Sequence, residues 1–132
     1  MEYIKSLNPI ILKGETLTKI LIDVSGGDHR IDIWTKNHKH FQFYHYQDCC
    51  ESVTIYKIIG SLNSILNNPL TEVSEKIVKP SDGEKQSKKY NGDSWTETTY
   101  TFKTQWSEAV KIVWFGESNG YYSESVDFCE VK

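Results

Sequence analysis

"KILIDVSGGDHRIDIWTKNHKHFQFYHY", residues 19–46, decides the fold class. Ile20, Ile22 and Val24 alternate along the first segment, Ile31 and Ile33 along the second, and Phe41, Phe43 and His45 along the third. A period of two places each set on one face of an extended strand. "SGGD" and "KNHK" separate the segments with the Gly, Asn and Asp chemistry of tight turns. The reading is a three-stranded antiparallel meander with one apolar face.

The same alternation continues along the chain. "SVTIYKI" at 52–58, "LTEVSEKIV" at 70–78, "WTETTYTFKT" at 95–104, "AVKIVWFG" at 109–116 and "SESVDFCEV" at 123–131 each read as a strand. In "GSLNSILNNP", Ser61 is a candidate N-cap, Leu62, Ile65 and Leu66 fall at helical spacing, and Asn-Asn-Pro stops the segment. These elements predict an α+β chain: a mainly antiparallel sheet of about six to eight strands with one short helix packed on it. No repeat and no composition break divides the chain, so residues 1–132 read as a single domain. Residues 80–94, "PSDGEKQSKKYNGDS", read as a long polar loop that is mobile by default.

A net charge of −3 lacks the basic footprint of general nucleic-acid binding and is too small for a nucleic-acid mimic. The charge is uneven. Lys76, Lys79, Lys85, Lys88 and Lys89 cluster around the long loop, while Glu117, Glu124, Asp127 and Glu130 make the C-terminal end acidic. No apolar run is long enough to span a bilayer, and the N-terminus lacks the pattern of a signal peptide, so no membrane partner is expected. Three cysteines, two of them adjacent, make no disulfide framework. The chain reads as cytoplasmic, with reduced thiols.

The cysteine pair sits in "HYQDCCESV", residues 45–53. Adjacent side chains of an extended strand point to opposite faces, so Cys49 and Cys50 can share an ion only where the chain turns. His40, His45 and Cys129 are the available further ligands, without the spacing of a structural zinc site. A cysteine nucleophile would need His45, yet Asp48 and Glu51 beside it disfavour a thiolate. The favoured reading is structural. One cysteine lies under the sheet, the other covers a neighbour, and Asp48 and Glu51 fix a turn by accepting backbone amides. His38 and His40 read as exposed turn residues rather than ligands.

Near the C-terminus, Asn119-Gly120 is the strongest short signal for a hairpin turn. A two-residue loop would mix core and solvent residues on both faces. A register one residue removed sets Ile112 opposite Phe128 and Trp114 opposite Val126, and Lys111 opposite Cys129 and Val113 opposite Asp127. The expectation is therefore a hairpin closed by a wider loop, with Glu117 and Glu124 near each other across it. Tyr121 and Tyr122 supply contact area with a hydroxyl, and Ser118 and Asn119 adaptable hydrogen bonds.

"DCCESV" at 48–53 and "WFGESNGYYSESVDF" at 114–128 carry a resemblance. The chain resembles a family of small uncharacterised bacteriophage and prophage proteins with those two motifs, and "GETLTKI" at 14–20 resembles the family's opening. The Lys-rich loop looks like a variable insertion. The resemblance implies phage origin and a bacterial host's cytoplasm, and it carries over no catalytic residue. Small phage accessory proteins act on host enzymes or host immunity. The leading expectation is a non-enzymatic protein that binds and inhibits a host defence or regulatory protein. A second reading is a protein that sequesters a nucleotide-like signal, with Trp34 or Trp95 and the tyrosines stacking a base and Arg30, Lys88 or Lys89 taking phosphate. A third is a metal- or thiol-dependent enzyme built on Asp48, Cys49, Cys50, Glu51, Glu117 and Glu124. The candidate binding residues are Asp48, Cys49, Cys50, Glu51, Trp114, Glu117, Ser118, Asn119, Tyr121, Tyr122 and Glu124. No catalytic residue, resident metal or cofactor is assigned. The two motifs are expected to meet in space.

Overall fold

A computed structural model describes residues 6–80 and 94–132. All but two residues of the long Lys-rich loop, including Lys85, Lys88 and Lys89, lie outside the described residues, and so does the proposed insertion. The described residues form eight strands: β1 (Leu17–Asp23), β2 (Arg30–Thr35), β3 (His40–Tyr44), β4 (Ser52–Ile59), β5 (Leu70–Val78), β6 (Ser94–Thr104), β7 (Val110–Ser118) and β8 (Asp127–Val131). They build two antiparallel four-stranded sheets, in the orders β1-β2-β3-β8 and β4-β7-β6-β5. In the first sheet β8 adds beside β3 at the end of the β1–β3 meander, and in the second β4 lies beside β7, the far strand of the β5–β7 meander, a Greek-key order.

The meander read from residues 19–46 is present. Ile20 and Ile22 oppose Ile33 and Ile31, and Ile31 and Ile33 oppose Phe43 and Phe41. These positions face the second sheet, whose inner face carries Val73, Tyr100, Phe102, Ile112 and Trp114. Phe43 is fully buried where the sheets meet. Its ring centroid lies 4.6 Å from Tyr100, 6.1 Å from Phe102 and 4.5 Å from Phe128. Tilted and edge-on aromatic contacts of this kind add about 0.5–1.5 kcal/mol each beyond burial. Val24, expected to continue the first apolar face, is exposed beyond the end of β1.

The helix expected around residues 61–66 is a single 3₁₀ turn, Leu62–Ile65, so among the described residues the chain is mostly β rather than α+β. Ser61 makes no side-chain cap bond, and Asn67 takes a positive φ of 68° that ends the turn. The apolar stripe still does its work: Ile65 is buried, with Leu62 and Leu66 packed against the core. A second 3₁₀ turn, Pro9–Leu12, starts with Pro9 in its first turn, and the Asn8 side chain accepts the Ile10 amide. It buries Leu12 against the same core.

The expected β7–β8 hairpin is absent. β7 pairs with β4 on one side and β6 on the other, while β8 pairs with β3 in the opposite sheet. Both edges of β7 are taken, and Val113, Trp114 and Phe115 are buried on its two faces in turn. A strand buried on both faces belongs in the middle of a sheet, and no edge remains for β8. Phe128 therefore faces Phe43 rather than Ile112.

Because Phe43 touches aromatic rings from both sheets, Phe43→Ala should destabilise the fold by about 3–5 kcal/mol. The check is urea unfolding followed by tryptophan fluorescence. A loss under about 1 kcal/mol would mean that the sheets do not pack on this residue.

Candidate functional site

Two connections cross from one sheet to the other, residues 45–51 between β3 and β4 and residues 119–126 between β7 and β8. They leave from the same end. Tyr44 pairs with Asp127 in the first sheet, Ser52 pairs with Glu117 in the second, and the β1–β2 turn lies at that end beside Arg30. The "DCCESV" and "GESNGYYSE" motifs thus meet, as expected, through strand pairing and not through a hairpin.

His45 continues the inward face of Phe41 and Phe43, so a polar ring is carried into the space between the crossings. It is buried, and both ring nitrogens face acceptors: Nε2 lies 2.8 Å from Glu51 Oε2, and Nδ1 lies 2.8 Å from the Ser125 carbonyl oxygen. A neutral imidazole has one N–H and serves one acceptor; the imidazolium serves both. Glu51 is buried as well and accepts the amides of Asp48 at 2.8 Å and Cys49 at 2.9 Å. Burial alone would raise its pKa. The His45 bond and the backbone amides outweigh that and lower it to about 2. One carboxylate therefore folds the 48–51 turn, and His45 ties that turn to the other crossing.

Glu124 plays the matching part on the second crossing. It is only 9% exposed. Its Oε1 accepts Thr96 Oγ1–H at 2.7 Å, and its Oε2 accepts Ser118 Oγ–H, while Ser118 Oγ takes the Gly120 amide at 3.0 Å. The loop returns so closely over β7 that a Cβ on Gly116 would lie 2.7 Å from the Glu124 carbonyl oxygen. Only glycine fits there.

The candidate residues divide by burial. Asp48, Cys49, Cys50, Asn119 and Tyr121 are exposed, and Tyr122 is half-buried. Glu51, Ser118 and Glu124 are buried and hold the loops, and Trp114 lies in the core, away from any surface. The expected Glu117–Glu124 pair is split. Glu117 opposes Trp95 and points to the outer face of the second sheet, whereas Glu124 lies between the sheets. The cysteine reading is corrected too. Neither cysteine is under the sheet; both are exposed, with their sulfurs side by side. Of the two acids expected to fix the turn, Glu51 does so. Among the described residues no group of three or more His, Cys, Asp or Glu side chains is arranged to hold a metal ion.

Tyr46, 60% exposed on the first crossing, was not among the sequence candidates, and Tyr121 on the second crossing is 90% exposed. A histidine extending the apolar face of β3 was the signal that the chain turns inward at 45 and leaves Tyr46 outside. A separate polar cluster on the outer face of the first sheet also escaped the sequence. Asp32 is bound by Arg30 at 2.9 Å, His40 at 2.7 Å and Gln42 at 2.8 Å. Burial opposes ionisation of Asp32, but these three partners hold its pKa below the usual value. His40 also stacks on Trp34, with Lys19 5.0 Å from the same ring. His40 is thus an engaged structural residue, whereas His38 is exposed in its turn. Trp34 and Arg30 sit on this outer face, apart from Tyr122 and Trp95, while Lys88 and Lys89 lie outside the described residues.

Since the Glu51 carboxylate has a lowered pKa in the fold, its contribution is full above the unfolded value near 4.5 and is lost as pH falls toward 2. Glu51→Gln should cost about 1–3 kcal/mol at neutral pH. The variant should lose less stability than the parent between pH 5 and pH 3, as read by urea unfolding at each pH. Parallel profiles would remove Glu51 from the account.

No curated protein and no solved structure matches the chain. A family of domains of unknown function, DUF7448, matches residues 14–128. That span runs from just before β1 into β8 and takes in both crossings, so the chain belongs to the DUF7448 family.

Proposed function

We propose that this protein is a non-enzymatic binding module that engages a protein partner with the end of the sandwich bearing the two crossings. The observation that carries the reading is the contrast in burial there. His45, Glu51, Ser118 and Glu124 are spent inside, fixing the loops, while Tyr46 and Tyr121 are left in solvent beside Asp48 and Asn119. Loops held by a rigid β scaffold are a common site of recognition. Exposed tyrosines on such loops give contact area at low conformational cost. Buried polar groups are expensive unless fully bonded, so a network of them dedicated to loop position favours a surface whose shape matters.

The motif resemblance supports a phage-encoded protein acting in the bacterial cytoplasm, with a host defence or regulatory protein as the target. The enzyme reading has less support, because the Glu51 and Glu124 carboxylates are committed to holding backbone and hydroxyl groups. Nucleotide sequestration also has less support. Arg30 is engaged by Asp32, and Tyr122 lies beside the buried Glu124 carboxylate, which repels phosphate.

The test is affinity capture from bacterial lysate with the full chain as bait. Tyr46→Ala combined with Tyr121→Ala should weaken capture of the partner by about 30-fold or more, the scale of an interface hot spot. Cys49→Ser combined with Cys50→Ser should leave it within about threefold. Capture that survives loss of both tyrosines would overturn the proposal.

A further inference from the structure

The first crossing carries two thiol side chains that the buried loop network leaves in solvent. Side chains of adjacent residues on an extended strand point to opposite faces. At Cys49 and Cys50 the chain has left β3 and turns, so the two sulfurs lie side by side and both residues are exposed. Other groups shape that turn. Glu51 accepts the amides of Asp48 and Cys49, Gln47 donates to the Glu51 carbonyl oxygen at 2.6 Å, and His45 anchors Glu51 from inside. Because the Glu51 carboxylate is turned inward and buried, Asp48 is the one of the two flanking acids that stands in solvent with the pair. Cys129, the third thiol, is 2% exposed on β8.

We infer that Cys49 and Cys50 form a redox modification site that undergoes exchange with a low-molecular-weight disulfide of the glutathione class. Three observations support the choice. The buried turn already makes the sulfurs neighbours, which gives each thiol a high effective concentration toward the other. Both are open to a small molecule, and access to the thiolate governs such exchange. Among the described residues no third His, Cys, Asp or Glu is grouped with them, so the pair lacks the ligand set of a structural zinc site there. The step balances as thiol–disulfide exchange. One cysteine thiolate attacks the small disulfide, forms a mixed disulfide and expels one small thiolate. The neighbouring cysteine thiolate then attacks the protein sulfur of that mixed disulfide and expels the other. Two cysteine thiols are oxidised to one disulfide, the small disulfide is reduced to two thiols, and the two protons pass to them. Exposed disulfides are the ones that small thiols reopen, so the site is reversible. The reaction is stoichiometric, without turnover, and does not rest on the partner reading.

The experiment equilibrates the full chain in glutathione buffers from reducing to oxidising, alkylates the remaining thiols, and reads intact mass and peptide maps. In reducing buffer the native protein should be alkylated at Cys49 and Cys50, and at Cys129 only after unfolding. As glutathione disulfide rises, both labels should disappear together, the peptide holding the pair should lose the mass of two hydrogens, and no glutathione should stay on the chain. Dithiothreitol should restore both labels. Cys49→Ser should instead trap glutathione on Cys50, because no neighbour resolves the mixed disulfide. Glu51→Gln, checked for folding by tryptophan fluorescence, should lower the equilibrium constant for closing the pair by about fivefold, the scale of one lost amide bond. Should that variant fail to fold, Gln47→Ala decides, with a change in the same direction. Labels that persist at every glutathione ratio, a glutathione adduct that accumulates on the parent chain, disulfide-linked dimers, oxidation centred on Cys129, or an unchanged equilibrium in the folded turn variant would each overturn the inference.

Discussion

The structure depends on β7 being paired along both edges. Val113, Trp114 and Phe115 are buried in succession, which demands cover on both faces, and β4 and β6 occupy its two sides. A chain leaving such a strand cannot fold back beside it. It must cross to the other sheet, where β3 still has a free edge, and there Phe128 meets Phe43. β3 itself feeds β4 by the reverse crossing. Two crossings at one end follow from one doubly covered strand, and the polar end of the molecule is made by them.

Crossings carry backbone away from any ladder, so their amides need other partners. Glu51 supplies them for 48–51 and Ser118 for Gly120. His45 then links the first crossing to the carbonyl of Ser125 on the second. His29 adds a third tie, since its Nδ1 accepts the Ile55 amide on the edge strand β4 at 2.8 Å and so joins the β1–β2 turn to the opposite sheet. Each tie puts a polar group where burial costs several kcal/mol if it is left unbonded. Bonded, the same groups set loop position, and the exposed tyrosines take their places from that.

Much of the fold was legible in local pattern. Every expected strand exists, and the β1–β3 alternation identifies the inward residues, Val24 excepted, because a half-buried strand announces itself at period two. Failures came where the deciding partner is distant in sequence. Leu62, Ile65 and Leu66 do share a buried face, but a run of six residues without a cap bond makes one 3₁₀ turn as easily as a helix. Asn119-Gly120 does turn, with Gly120 at φ 96° and the Asn119 side chain accepting the Tyr121 amide, yet a turn does not say which strand comes next. The continuous "IVWF" run at 112–115 was the missed signal of a central strand. At the site, the two motifs were found and their meeting was expected, but the sequence could not sort display from support. Glu51 and Glu124 look like surface acids until their donors are known, and Glu117, two residues after Phe115 in a strand, points away from both.

Assignment of backbone NOE contacts to β8 tests the central claim most directly. The account predicts cross-strand contacts of Asp127 with Tyr44 and of Cys129 with Gln42, joining β8 to β3. Contacts of Cys129 with Lys111 and of Asp127 with Val113 would instead place β8 beside β7 as a hairpin. They would contradict the doubly covered strand, and with it the two crossings and the site they build.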